Sequence, residues 1–223
     1  MENVEFFVSP KTGEKSFVYR VATKKAPVGC VLSFHGGSFT GGSTEFDKEQ
    51  NMALAKRGLE VHQVSFPRTT FADFIEWATA DEMRDFLQQQ HKAFGGSVFV
   101  LGRSSGGFLA KFFYEHYSDL IAKAIYLCPV LQPVLRAQLV PKTRESTARY
   151  FANTVERNDF SFAKRFCAER EMIMVVSHDD RVPLECFSDE QKMALRVLHF
   201  KTHRYACTCA TDAFLRQLTD FLI

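Results

Sequence analysis

The chain lacks several features that would place it in a specialised class of protein. Lys and Arg total 28 and Asp and Glu total 26, so the net charge of +2 indicates no nucleic-acid partner. No uninterrupted apolar run approaches the length that spans a membrane. Residues 1–5 lack the basic and then apolar order of a signal peptide, and we therefore expect a cytoplasmic location. No repeat or linker divides the 223 residues, so we predict one domain over residues 1–223. The sequence does not indicate whether the protein forms oligomers.

Cysteine is sparse and follows no disulfide framework. Without a secretion signal, the six cysteines are predicted to be reduced thiols. Cys207 and Cys209 lie near His203, but this spacing fits no common zinc pattern, so we predict packing cysteines and no metal. The other cysteines are scattered along the chain, at Cys30, Cys128, Cys167 and Cys186.

Short β-rich runs alternate with segments of helical apolar spacing. Residues 4–8 and 16–22 predict an antiparallel hairpin at a sheet edge. Further strands are predicted at 28–34, 59–66, 98–101, 122–127, 171–177 and 196–200, and helices at 45–57, 71–94, 108–117 and 211–222. This alternation predicts an α/β fold with a mostly parallel sheet of about eight strands and helices on both faces. Residues 130–170 carry prolines and many charges, and we expect a small helical cap there.

The most informative stretch runs from Val98 to Ala110. Four apolar residues predict a buried strand, which turns through Gly102-Arg103-Ser104-Ser105-Gly106 into a helix. A G-x-S-x-G pattern between a strand and a helix places its serine on a strained turn, exposed at the end of the sheet. Ser104 is therefore a candidate nucleophile. Arg103 beside it is expected to point outward.

A second candidate segment follows the strand at 28–34. His35-Gly36-Gly37-Ser38-Phe39-Thr40-Gly41-Gly42-Ser43 holds four glycines, and such a loop can aim backbone N–H groups inward, as an oxyanion hole requires. In parallel sheets, ligands bind beyond the carboxyl ends of the strands. The glycine loop, Ser104, Asp179 or Asp180, and His203 all fall at such ends. The serine would supply a nucleophile, the acid an orienting carboxylate and the histidine a base, and the three occur in that order along the chain.

These motifs resemble the α/β-hydrolase superfamily over nearly the whole chain. Residues 35–39 look like the H-G-G-G-[FW] loop of hormone-sensitive-lipase-like esterases and kynurenine formamidases, and residues 102–110 are similar to their G-x-S-A-G-G-x-L-A motif. Two departures stand out: Ser38 replaces the third glycine, and the chain is shorter than most such esterases, so any cap must be small.

The resemblance implies roles for individual residues. The oxyanion donors would be the backbone N–H groups of Gly37, Ser38 and Ser105. For the acid, counting back from Val182-Pro183 selects Asp179, whereas counting forward from the strand end selects Asp180, which we slightly favour. His203 is favoured over His199 as the base because it follows the last strand. His35 is expected to hold the glycine loop.

The function predicted from the sequence is a serine hydrolase of the carboxylesterase type. It would cleave a small ester through an acyl-enzyme, with no metal or organic cofactor. One alternative is an arylformamidase or other amidase with the same triad, so the partner is a small ester or amide. The other is a non-catalytic binding protein of the same fold.

Overall fold

The computed structural model describes residues 2–8, 15–21, 26–43, 47–152, 160–176, 179, 181–193, 195–198 and 212–223. Within this part of the chain the strands form one eight-stranded sheet in the order β1-β2-β4-β3-β5-β6-β7-β8. Strands β1 to β4 are Glu2–Val8, Lys15–Val21, Gly29–Phe34 and Leu59–Val64, and strands β5 to β8 are Val98–Arg103, Lys123–Leu127, Glu171–Val176 and Leu195–Leu198.

The sheet is antiparallel at one edge and parallel elsewhere. Strand β1 pairs antiparallel with β2, and β2 pairs antiparallel with β4. All the other neighbouring pairs are parallel. The predicted edge hairpin and the mostly parallel sheet are therefore confirmed.

The central strands are buried on both faces because helices cover both sides of the sheet. Every residue of β3, β5 and β7 is buried. Side chains alternate between the two faces, so Val98 and Val100 join one hydrophobic cluster while Phe99 and Leu101 join the other. This two-sided burial explains why these strands are nearly continuous apolar runs in the sequence.

The helices agree with the prediction except for one segment. The predicted helix over 71–94 is two helices, Phe71–Ala78 (α2) and Asp81–Ala93 (α3). Apolar spacing continues across the junction, but Ala80 is extended, with φ −64° and ψ 145°, and begins a new helix. Asp81 and Glu82 then lie in the first turn of α3, where negative charge is favourable. Among the described residues outside 130–170, the other helices of five residues or more are Lys48–Lys56 (α1), Ser105–His116 (α4), Asp189–Met193 (α8) and Asp212–Leu222 (α9).

The described residues of the segment between β6 and β7 form short helices. It contains Pro133–Leu139 (α5), a 3₁₀ turn at Pro141–Thr143, Arg144–Phe151 (α6) and Ser161–Lys164 (α7). Tyr150 and Phe151 of α6 each pack against Phe39 of the glycine loop, with ring centroids 5.1 Å apart in both pairs. The insertion thus contacts the loop that follows β3, and its role as a cap stays a prediction.

A buried ion pair ties helix α4 to strand β7. Lys111 Nζ lies 2.5 Å from Glu171 Oε1, and both side chains are about 1% exposed. Glu171 also accepts hydrogen bonds from the Tyr126 hydroxyl and the Cys167 backbone N–H. Glu115 Oε1 lies 2.7 Å from the same ammonium. This network satisfies charges that would be costly to bury unpaired.

The described residues can be compared with two expectations from the sequence, on disulfide bonds and on membrane-spanning segments. Cys30, Cys128, Cys167 and Cys186 form no disulfide, as predicted, whereas Cys207 and Cys209 lie outside the described residues. No helix in the described ranges is long and apolar enough to cross a membrane.

Candidate active site

Ser104 occupies a strained turn between β5 and α4. Its φ is 52° and its ψ is −120°, a conformation that a residue with a Cβ rarely adopts. Backbone bonds hold it there: Ser104 N–H donates to Leu127 O at 2.9 Å, and Ser104 O accepts from Gly107 N at 3.0 Å and Val130 N at 2.9 Å. The surroundings therefore impose a conformation that costs about 1–3 kcal/mol, as is common where a side chain must be presented in one orientation.

Two glycines let the start of α4 pack against neighbouring backbone. A Cβ placed on Gly106 would lie 2.3 Å from both Phe34 O and His35 O. A Cβ on Gly102 would lie 2.5 Å from Ala110 Cβ. Larger residues at these positions would force the first turn of α4 away from the end of β3. The pattern around Ser104 is thus required by packing as well as by turn geometry.

The glycine loop after β3 lies directly against Ser104. A Cβ on Gly36 would be 3.1 Å from Ser104 Cβ, which places the two residues in contact. The side chain of Ser104 makes no capping hydrogen bond with α4, and the residue keeps 7% of its surface exposed. Its hydroxyl is therefore not committed to the helix that it precedes.

The residues predicted as oxyanion donors are the sequence neighbours of Gly36 and Ser104. Gly37 and Ser38 follow Gly36 with φ values of 145° and 52°, and Phe39 continues with 73°. Ser38 therefore adopts a left-handed conformation although it replaces a glycine of the resembling motif. Ser105 is the first residue of α4, where backbone N–H groups have no partner within the helix. Their role as donors stays a prediction.

His35 and Arg68 hold the glycine loop in place. His35 is 2% exposed, stacks on Phe66 with ring centroids 4.6 Å apart, and donates from Nδ1 to Gly36 O at 2.7 Å. Arg68 Nη1 donates to Gly42 O at 2.7 Å at the far end of the loop. This geometry agrees with the structural role expected for His35.

The outward orientation expected for Arg103 is wrong. Its side chain is 6% exposed and lies 2.9 Å, Nη2 to Oδ1, from Asp47, whose side chain is 1% exposed. Burial raises the pKa of Asp47 from 3.8 to about 6, although the Arg103 guanidinium opposes this shift. Asp47 directly precedes α1, so this pair joins the start of α1 to the residue before Ser104. The predicted helix over 45–57 includes Asp47 in its first turn, and nothing in the sequence indicates that Asp47 pairs with Arg103.

Asp179 lies beyond the carboxyl end of β7, at the same edge of the sheet as Ser104. Its Oδ1 accepts hydrogen bonds from Arg181 N at 2.8 Å and Val182 N at 3.0 Å. Two backbone donors fix the orientation of this carboxyl group, which is partly buried. Asp180 and His203, the other predicted triad residues, lie outside the described residues.

A cavity of about 390 Å³ adjoins the insertion. It begins at Leu131, one residue after Val130, whose N–H donates to Ser104 O. Its lining is mostly apolar, with two amides and one ammonium, and comprises Leu131, Gln132, Pro133, Val134, Leu135, Gln138, Phe160 and Lys164.

A second cluster of polar side chains lies at the opposite edge of the sheet. Cys30, Glu60 and His62 are buried near the amino ends of β3 and β4, with donor atoms within 4.8 Å of one another. His62 Nε2 is 2.6 Å from Glu60 Oε1, which is a hydrogen-bond distance. Two ligands of one tetrahedral zinc ion would be about 3.3 Å apart. The arrangement is that of a hydrogen-bonded pair beside a thiol.

Comparison with known proteins places this geometry in context. No family model matches the chain, and no curated protein matches it in sequence. Solved structures do match its shape. A hyperthermophilic esterase from the archaeon Pyrobaculum calidifontis superposes with a TM-score of 0.74 at 16% identity, over 100% of this chain and 85% of that one. The chain has the α/β-hydrolase fold.

Two further solved structures match similarly. Carboxyl esterase 2 from the mycorrhizal fungus Tuber melanosporum gives a TM-score of 0.70 at 16% identity, over 100% of this chain and 84% of that one. The Francisella virulence factor BioJ gives 0.74 at 14% identity, over 99% and 84%. Within this fold, the strained turn at Ser104 lies between a strand and a helix, and its role as a nucleophile stays a prediction.

Proposed function

We propose that this α/β-hydrolase is a serine hydrolase that cleaves a small carboxylic ester. The observation that carries the proposal is the backbone of Ser104, held at φ 52° between strand and helix with a glycine loop against it. Such a turn presents a serine hydroxyl at the carboxyl edge of the sheet. Structures named as esterases share this fold, which supports ester chemistry at the site.

The proposed reaction uses five groups in named roles. The Ser104 hydroxyl attacks the ester carbonyl while His203 accepts its proton. Backbone N–H groups of Gly37, Ser38 and Ser105 stabilise the negative oxygen that forms. His203 then returns the proton to the leaving alcohol, and a water molecule releases the acid from the acyl-enzyme by the same steps.

Asp179 is the carboxylate that we assign to orient the histidine. Its two backbone hydrogen bonds hold the carboxyl group rigidly, as an orienting group requires. Asp180 is the alternative that the sequence also allows. The variants Asp179→Asn and Asp180→Asn separate the two. Substitution of the acid that orients His203 should lower kcat about 10⁴-fold, whereas substitution of the other aspartate should change kcat little.

The experiment that tests the proposal is Ser104→Ala, assayed with p-nitrophenyl acetate and butyrate. We expect at least a 1000-fold loss of kcat (~10³ or more) with unchanged circular dichroism. Ser118→Ala is the matched control, because Ser118 is exposed and follows the opposite end of α4. A fluorophosphonate probe should label the wild type and Ser118→Ala, but not Ser104→Ala.

The same assay distinguishes the alternative functions. A formamide such as N-formylkynurenine, compared with the short esters, tests the amidase alternative. We expect higher kcat/KM for the esters. Full ester turnover in Ser104→Ala would contradict the proposal. A folded wild type without turnover or probe labelling would favour the non-catalytic binding protein.

A further inference from the structure

Arg136 is a buried cation in the insertion between β6 and β7. It lies on α5, and only 1% of its surface is exposed. Its Nε donates to Arg181 O at 2.9 Å, whereas its Nη1 is buried without a hydrogen-bond partner among the described residues. Burying a guanidinium with so few acceptors is costly, so a compensating interaction is expected nearby.

The acceptor of Arg136 belongs to the peptide group that also binds Asp179. The carbonyl of Arg181 and the N–H of Val182 are the two ends of one planar peptide unit. Arg136 donates to that carbonyl, and the same unit donates from Val182 N to Asp179 Oδ1 at 3.0 Å. Hydrogen bonds in such a chain polarise one another, so the guanidinium strengthens the bond that fixes the carboxylate.

Electrostatics supports the same pairing. Burial lowers the pKa of Arg136, whereas negative charge on Cys186 or Asp179 opposes this lowering. Burial also raises the pKa of the Cys186 thiol to about 11, so this thiol is neutral near pH 7. The Cys186 thiol therefore contributes no negative charge beside Arg136 near pH 7, which leaves the Asp179 carboxyl group as the other group of this pair.

We propose that Arg136 is a positioning residue that holds the Asp179 carboxylate through the Arg181–Val182 peptide group. It links the insertion helix α5 to the acid of the triad, and this inference rests on the proposed function. Without Arg136, the loop after β7 loses the donor that fixes this peptide plane. The carboxylate would then orient His203 less well, although the substrate could still bind.

Arg136→Ala tests this role by steady-state kinetics with p-nitrophenyl butyrate. We expect kcat to fall about 100-fold, the cost of a misplaced group in an active site, with KM nearly unchanged. Guanidinium ion at millimolar concentration should partly restore kcat by filling the space that the side chain leaves. Arg136→Lys, which retains the charge, should lose less than Arg136→Ala.

Arg170→Ala is the matched control. Arg170 likewise donates to backbone carbonyls, from Nε to Ala122 O at 2.9 Å and from Nη2 to Ser118 O at 2.9 Å. It precedes β7, at the opposite end of that strand from Asp179. Its removal should lower the unfolding midpoint and leave kcat unchanged, which separates a positioning role from general support of the fold.

The double variant Arg136→Ala with Asp179→Asn decides whether the two residues act together. If Arg136 acts through Asp179, the double variant should have a kcat within about twofold of that of Asp179→Asn alone. Additive losses, or wild-type kcat in a folded Arg136→Ala, would overturn the inference alone. If Arg136→Ala does not fold, Arg136→Lys takes its place, and a loss of kcat in Arg136→Lys that stays undiminished in the Asp179→Asn background overturns it. A wild type without turnover overturns the proposed function and this inference together.

Discussion

Arg103 Nη2 and Asp47 Oδ1 lie 2.9 Å apart, in side chains that are 6% and 1% exposed. The pair connects the residue before Ser104 to the residue before α1. A carboxyl group so deeply buried holds its proton more tightly than in the unfolded chain, even beside a cation. The pair therefore has a consequence for how stability depends on pH.

Asp47→Asn should remove one component of this pH dependence. Because the pKa of Asp47 rises from 3.8 in the unfolded chain to about 6 in the folded protein, the folded state binds more protons between these values. The contribution of this group to the free energy of unfolding should therefore fall by about 2 kcal/mol as pH rises from about 4 to about 6, out of about 3 kcal/mol over its whole titration. Urea unfolding of the wild type and the variant across this range measures the difference between their slopes.

Asp73→Asn is the control, because Asp73 should change the free energy of unfolding with pH in the opposite direction to Asp47. Hydrogen bonds from the Thr69 and Thr70 hydroxyls lower the pKa of Asp73, so its stabilisation is present above its unfolded value and is lost as pH falls. Asp73→Asn should therefore cost more stability at neutral pH than at low pH. Identical slopes for the wild type and Asp47→Asn would contradict the assignment to Asp47.

Gly106→Ala should destabilise the protein through a direct backbone clash. The new Cβ would lie 2.3 Å from the carbonyl oxygens of Phe34 and His35, so α4 or the glycine loop must shift. We expect a loss of about 3 kcal/mol, measured by urea unfolding, and a lower kcat for the short esters. Gly95→Ala is the control: nothing lies within 4 Å of its Cβ, and its φ of 57° costs only about 1 kcal/mol. Equal losses for the two variants would show that the clash at Gly106 is relieved without cost.

Tyr150→Phe should leave the protein as stable as the wild type or more stable by about 1 kcal/mol. The Tyr150 ring is fully buried, and its hydroxyl has no hydrogen-bond partner among the described residues. Tyr126→Phe should instead cost about 2 kcal/mol, because the Tyr126 hydroxyl donates to Glu171 Oε1 at 2.8 Å. Thermal unfolding of the two variants makes the comparison, and a marked loss in Tyr150→Phe would reveal a partner for its hydroxyl.

Strands and turns could be predicted from local sequence because buried strands require apolar residues and tight turns require glycine. Apolar runs identified β3, β5 and β7, and glycines on both sides of Ser104 identified the turn. The break between α2 and α3 left little trace, because apolar residues keep their helical spacing across Thr79 and Ala80. Only the extended backbone of Ala80 separates the two helices.

Interactions between distant residues could not be predicted in this way. Arg103 turns inward because Asp47 lies beneath it, and nothing near Arg103 in the sequence indicates that partner. Asp179 and Asp180 both stay candidates for the acid, since a count of residues does not separate them; Asp179 Oδ1 accepts two loop N–H groups, and Asp180 lies outside the described residues. Arg136 carried only a weak signal, as one charge within the apolar run of α5.

The ion pair between Lys111 and Glu171 constrains how the protein can assemble. The two residues are 60 positions apart, and the chain between them includes β6 and the whole helical insertion. A fragment that ends before Glu171 would leave the buried Lys111 ammonium with Glu115 as its one remaining carboxylate among the described residues, or would leave α4 undocked. We therefore expect the two halves of the sheet to form together, with the insertion as the long loop whose closure entropy must be overcome.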